Sequence, residues 1–125
     1  MKLLLDTHAL LWWLDDPGLL SVEARRAIAR GDNAVFVSAA AAWEIAIKTA
    51  MGRLQAPENL EEVMAAERFE PLPITLAHAL AVGGLPTIHQ DPFDRIQIAQ
   101  AGHENLTMVT RDPLIQQYPI SSIAA

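Results

Sequence analysis

Five carboxylates stand near points where short apolar runs give way to polar residues: Asp6, Glu44, Asp91, Asp94 and Asp112. Asp6 directly follows Leu3–Leu5, and Asp112 comes two residues after Thr110, where a second apolar run ends. Asp91 and Asp94 flank Pro92 at the start of a helical stretch. Glu44 falls less than two turns into the helix that follows Val35–Val37. Acids gathered this closely repel one another, and each raises its neighbours' pKa unless a cation sits among them. A ligand set made only of oxygen suits Mg²⁺ or Mn²⁺. Such a site can polarise a phosphodiester and activate a water for in-line attack.

Each acid also has an ordinary reading. Asp6 is a natural helix N-cap, as is Asp112 ahead of Pro113. Glu44 has Lys48 four residues on, the spacing of a common exposed helix pair. That helix is apolar nearly all round, from Ala39–Trp43 through Ile45–Ile47, so the charged pair is expected to line a pocket. The first turn of a helix welcomes acids such as Asp91 and Asp94. The signal is the edge that all of them are expected to share.

That edge depends on the elements. Leu3–Leu5 reads as a buried strand, followed by a helix over Thr7–Leu14 that Asp15-Asp16-Pro17-Gly18 stops. Ser21 caps a helix to about Arg30, with Gly31 past its end. Val35–Val37 is β-branched and aromatic and reads as a strand. Ser38 caps a long helix that ends at Gly52, and Pro57 opens another with Glu58, Glu61 and Glu62 in its first turns. Leu72–Ile74 reads as extended, and Thr75 caps a helix to about Val82. Gly83–His89 is a loop. Asp91 as N-cap and Pro92 at N1 start a helix to about His103. Thr107–Thr110 is a strand, Asp112-Pro113 starts a short helix, and Tyr118–Ile120 reads as a last strand. Alternation over the whole length predicts an α/β fold, with a mainly parallel β-sheet flanked by helices on both faces. Ligands of such sheets bind beyond the carboxyl ends of the strands.

The chain has 125 residues, which predicts a single domain over 1–125. Hydrophobic residues make up 51% and charged residues 19%, which excludes disorder. Cysteine is absent, so disulfides, thiolate nucleophiles and cysteine-bound metals are excluded, and a reducing, cytoplasmic setting is expected. The net charge of −6 argues against a broad basic surface for nucleic acid, though not against a nuclease that holds phosphate through metal ions. The apolar run Ala9–Leu14 is too short to span a bilayer. Asp6 interrupts the opening apolar stretch too early for a signal peptide.

The motifs together resemble PIN-domain proteins of the VapC toxin type. Leu4-Leu5-Asp6-Thr7-His8-Ala9-Leu10-Leu11-Trp12-Trp13 is similar to the start of that family. Val37-Ser38-Ala39, Trp43-Glu44-Ile45-Ala46-Ile47-Lys48 and Gly52-Arg53-Leu54 continue the likeness. The most specific stretch is Leu85-Pro86, then His89-Gln90-Asp91-Pro92-Phe93-Asp94-Arg95 and Ile98-Ala99-Gln100-Ala101; Thr110-Arg111-Asp112 completes the set. The resemblance implies a PIN-like fold and a Mg²⁺- or Mn²⁺-dependent endoribonuclease, with Asp6, Glu44, Asp94 and Asp112 as catalytic and metal-binding acids. Asp94 rather than Asp91 stands at the family's distance before Ile98. The resemblance further implies an RNA substrate, a small antitoxin that reaches into the acidic site with a basic residue, and a homodimer, within a larger toxin–antitoxin assembly or outside one. One departure is that Ala39–Ala42 lacks the Ser or Thr of many relatives.

Other polar residues are less decisive. His8, His78, His89 and His103 share no metal spacing and read as structural or exposed, with His89 set apart by its nearness to Asp91. Arg95 and Arg111 suit either phosphate binding or charge balance. Thr7 and Thr110 could orient a carboxylate or simply serve as a cap and a strand residue. A phosphoacceptor domain of the receiver type would need a second acid directly after strand one and a late lysine; the only lysines are Lys2 and Lys48. A catalytically inactive RNA- or protein-binding module on the same fold is the alternative, and the presence of all four acids counts against it. Finally, Ala9–Leu14 has no polar residue, and successive helix residues turn by about 100°, so Trp12 and Trp13 point different ways. This helix is expected to form a wall of the antitoxin groove, with other helices making the dimer.

Overall fold

A computed structural model describes all residues, 1–125. Five strands form one sheet in the order β3-β2-β1-β4-β5, and every neighbouring pair is parallel. They are β1 (Lys2–Leu5), β2 (Ala34–Ser38), β3 (Glu70–Leu72), β4 (Thr107–Thr110) and β5 (Ser122–Ala124). Six α-helices connect them: α1 (Thr7–Asp15), α2 (Val22–Ala29), α3 (Ala39–Ala50), α4 (Leu60–Ala66), α5 (Leu76–Ala81) and α6 (Pro92–Glu104).

The inner strands β1 and β2 are covered on both faces, which is why Leu3–Leu5 and Val35–Val37 are apolar without interruption. Leu3 and Leu5 of β1 pack with Ala9 and Leu10 of α1, Ala24 and Ile28 of α2, and Met64 of α4. Leu4 points the other way, onto Ile98 and Ala101 of α6 and onto Ile115 and Tyr118. Side chains alternate along a strand, so three consecutive leucines serve two separate cores.

The chain builds outward from β1, to β2 and β3 on one side and then to β4 and β5 on the other. The order therefore reverses between β1 and β4, and a crevice opens at their carboxyl ends. Asp6 leaves β1 at that crevice and Asp112 follows β4 beside it.

Several boundaries differ from the sequence reading. The last strand is Ser122–Ala124, not Tyr118–Ile120. Tyr118 instead ends a 3₁₀ turn over Ile115–Gln117, and its ring is buried in the second core. That turn is also all that forms after Asp112-Pro113. Pro57 does not open α4, which starts at Leu60, leaving Glu58 outside and Glu61 and Glu62 in its first turn. The extended segment before α5 pairs over Glu70–Leu72, so only its end was anticipated. Gly52 has φ +68°, the left-handed conformation that ends α3 where glycine was expected to end it.

Candidate active site

The five acids meet in one cleft of about 380 Å³, lined by Asp6, Glu44, Asp91, Asp94 and Asp112, with Lys48 and Arg111 as its only fixed cations. They come from four separate stretches of the chain.

Asp6 is the N-cap of α1; its Oδ1 accepts the Ala9 N–H at 2.7 Å. Capping and cleft-lining are thus one placement, because the helix starts where the strand ends. Burial pushes the Asp6 carboxyl up, against a lowering hydrogen bond from Thr110. Thr110, fully buried, also accepts the Asp112 N–H through Oγ1 at 3.1 Å. One hydroxyl thus joins the acids that follow two adjacent strands.

Glu44 projects from α3 and is buried. The Thr7 hydroxyl donates to its Oε1 at 2.6 Å, and Lys48 donates to its Oε2 at 2.5 Å. The ion pair expected at this spacing therefore forms inside the cleft, and the pairing holds Lys48 above its usual pKa. Behind it, buried Gln97 donates Nε2 to the Thr7 oxygen at 3.4 Å.

Asp91 caps α6, accepting the Asp94 N–H at 3.0 Å. Asp94 has its pKa raised to about 7, first by burial and then by neighbouring Asp91. Burial and the neighbouring acids thus disfavour a further negative charge on Asp94. Asp112 accepts the Leu114 N–H through Oδ1 at 2.8 Å.

Two arginines have settled partners. Arg95 donates Nη1 to the carbonyls of Pro86 (2.9 Å) and His89 (3.1 Å), and Nη2 to that of Val82 (3.2 Å). It clamps the loop over the start of α6. Arg111 donates to the backbone oxygens of Leu19 and Ala125, and its guanidinium lies 4.2 Å from the centre of the Trp12 ring. Neither is a free phosphate clamp.

His89 was placed among the structural or exposed histidines, but it stands inside the acidic cluster. Its Nε2 lies 2.8 Å from Asp112 Oδ2 and 2.9 Å from Asp94 Oδ2. The one sequence signal was its position two residues before Asp91. Trp12 and Trp13 are both partly buried against their own core; the Trp13 indole N–H donates to Glu67 at 3.2 Å and its ring lies tilted beside Phe69. The exposed tryptophan is Trp43, at 59%.

A parallel α/β sheet whose switch-point crevice gathers carboxylates is the class of domain that the fold and the site define. The comparisons with known proteins sharpen that class. A model of the PIN domain matches residues 3–120. Ribonuclease VapC22 of Mycobacterium tuberculosis is 30% identical over 118 residues, which is 92% of this chain and 90% of that protein. The chain belongs to the PIN-domain family. Among solved structures, VapBC2 from Rickettsia felis, bound to a DNA fragment from its promoter, matches with a TM-score of 0.74 at 15% identity over 98% of both chains. DNA-bound VapBC from Salmonella typhimurium matches with a TM-score of 0.68 at 19% identity, covering 98% of this chain and 97% of that one. These likenesses establish the fold.

Proposed function

We propose that this protein is an endoribonuclease, the toxin of a toxin–antitoxin pair, and that it works with Mg²⁺ or Mn²⁺ held by its acidic cleft. The observation that carries the reading is the convergence of Asp6, Glu44, Asp94 and Asp112, distant in sequence, on one cleft at the sheet's switch point. The donor set fits a hard divalent cation: it is rich in carboxylate oxygen, and burial together with the neighbouring acids pushes Asp94 up to about 7, a cost that a bound cation would relieve. Asp6 and Asp94 would hold the ion. Glu44, with both oxygens engaged, and Asp112 would complete the acidic shell directly or through water.

When bound, such an ion supplies Lewis-acid polarisation of the phosphodiester and makes water a better nucleophile at neutral pH. The protein's own residues do the rest. Thr110 and the Ala9 N–H orient Asp6 and offset part of the cost of its burial. Thr7 and Lys48 fix Glu44 as a neutralised wall. Lys48 keeps an ammonium at the cleft, where a substrate phosphate can take a hydrogen bond from it.

The antitoxin is proposed to dock along α1. A second groove of about 350 Å³, lined by Leu11, Trp12, Leu14 and Leu54–Pro57, adjoins the acidic cleft through the shared His8 and Trp12. A peptide laid there can send a basic side chain into the acids. Trp43, Ile47 and Met51 form an exposed apolar stripe along α3, and we assign it to a second copy of the chain. Trp12→Ala should then weaken the antitoxin complex and leave dimer mass unchanged, while Trp43→Ala should do the reverse. Induced expression tests the toxin reading: wild type should arrest growth and Asp94→Asn should not. Wild type that binds RNA without cutting it would favour the inactive binding module.

A further inference from the structure

His89, with Asp94 and Asp112 around its Nε2, has the outline of a metal site made of one imidazole and two carboxylates. The hydrogen bonds on the other side of the ring say otherwise. Nδ1 accepts the Asp91 backbone N–H at 3.1 Å. A backbone amide can only donate, so Nδ1 carries a lone pair and no proton. In a neutral imidazole the proton is then on Nε2. Nε2 faces two carboxylate oxygens, at 2.8 and 2.9 Å, where a second lone pair would be repelled. Nε2 is therefore the ring's donor: to ligate a metal it would have to give that proton up, and a proton moved to Nδ1 would stand against the Asp91 amide.

The ring's place is fixed from behind. The His89 N–H donates to the Tyr118 hydroxyl at 2.8 Å, and that hydroxyl donates to the Pro86 carbonyl at 2.8 Å. Arg95 holds the His89 and Pro86 carbonyls together. The loop thus presents one N–H to two acids that arrive from different parts of the chain.

We propose that His89 is a positioning residue of the acidic site: its Nε2–H holds Asp112 Oδ2 and stands against Asp94 Oδ2, aiming both carboxylates at the cation without ligating it. This rests on the divalent-metal reading above. Donors of this kind behind metal-binding carboxylates typically matter 10–100-fold in metal affinity.

Two substitutions separate the two sides of the ring. In His89→Gln the amide nitrogen reaches the Nε2 position and keeps the donor. In His89→Asn the side-chain oxygen takes the Nδ1 position and keeps the turn to the Asp91 N–H, but the donor is lost. Mn²⁺ binding by calorimetry should weaken about 10–100-fold in His89→Asn and only about threefold in His89→Gln. If the ring merely shapes the loop, Asn will bind Mn²⁺ as wild type does and Gln will not; that order overturns the proposal. If the wild type binds no Mn²⁺, the metal reading itself falls and takes this role with it. Long-range ¹H–¹⁵N spectra of the metal-free wild type give an answer that depends on no variant folding. They should show the proton of His89 on Nε2, and a ring whose Nε2 carries none contradicts the proposal.

Discussion

His78 and His89 make nearly the same pair of bonds in two regions of the molecule. Each accepts a backbone N–H at Nδ1, from Thr75 for His78 and from Asp91 for His89, and each points Nε2 at a carboxylate. At the corner of α5 and α6, His78 meets one acid, Glu104, which is well exposed and is held below its usual pKa by that bond. In the cleft, His89 meets two, and Asp94 still lies near 7. One imidazole donor satisfies a lone solvated carboxylate. It cannot offset a buried cluster, where burial and Asp91 outweigh it. The first arrangement is complete in itself, and the second is short of positive charge.

The contrast can be broken most strongly through the cluster. Asp6→Asn should lower RNA cleavage by about 10²-fold or more, the scale on which loss of one electrostatic stabiliser acts, with the circular dichroism spectrum unchanged. His78→Ala should do the opposite. It removes a buried ring, its half of the α5 capping box and two side-chain partners, so chemical denaturation should show a loss of about 2–3 kcal/mol. The folded fraction should cut RNA at the wild-type rate.

A smaller effect concerns pH. Asp94 ionises near 7 in the folded chain, against about 3.9 when unfolded. The folded state therefore binds the extra proton between those values. The associated stability is full below about pH 4 and is lost as pH rises through 7. Asp94→Asn should then stabilise the metal-free protein at pH 8 by about 1–2 kcal/mol after allowance for solvent screening. At pH 4 it should give no gain. Thermal unfolding in EDTA at both values checks the sign. The smallest effect belongs to Glu104, whose lowered pKa contributes stability above its unfolded value and loses it in acid. Glu104→Gln should flatten the fall of Tm below pH 4 and change nothing at the cleft.

Much of this was legible in the sequence, for local reasons. Leu3–Leu5 and Val35–Val37 are apolar without interruption because both faces of the sheet are covered, and Asp91-Pro92 starts α6 through capping alone. Tyr118–Ile120 misled because its apolar character serves the second core and its hydroxyl serves a loop, neither of which requires pairing. Pro57 misled because proline suits a turn as readily as a helix start. Within the site, the acids were visible from their places after strands and at a helix start. His89 was not, since its partner Asp112 is 23 residues away and only the fold brings them together. Arg95 was equally hidden: the carbonyls it clamps carry no sequence signature.

The central claim is that the acids of the switch-point cleft cut RNA with a divalent cation. Cleavage of total RNA by the purified chain, followed in EDTA and again after Mn²⁺ is restored, tests it most directly. Cleavage should stop in EDTA, return with Mn²⁺ for the wild type, and stay absent in Asp94→Asn under both conditions. Undiminished cleavage in EDTA, or Mn²⁺-dependent cleavage by Asp94→Asn at the wild-type rate, would contradict the account.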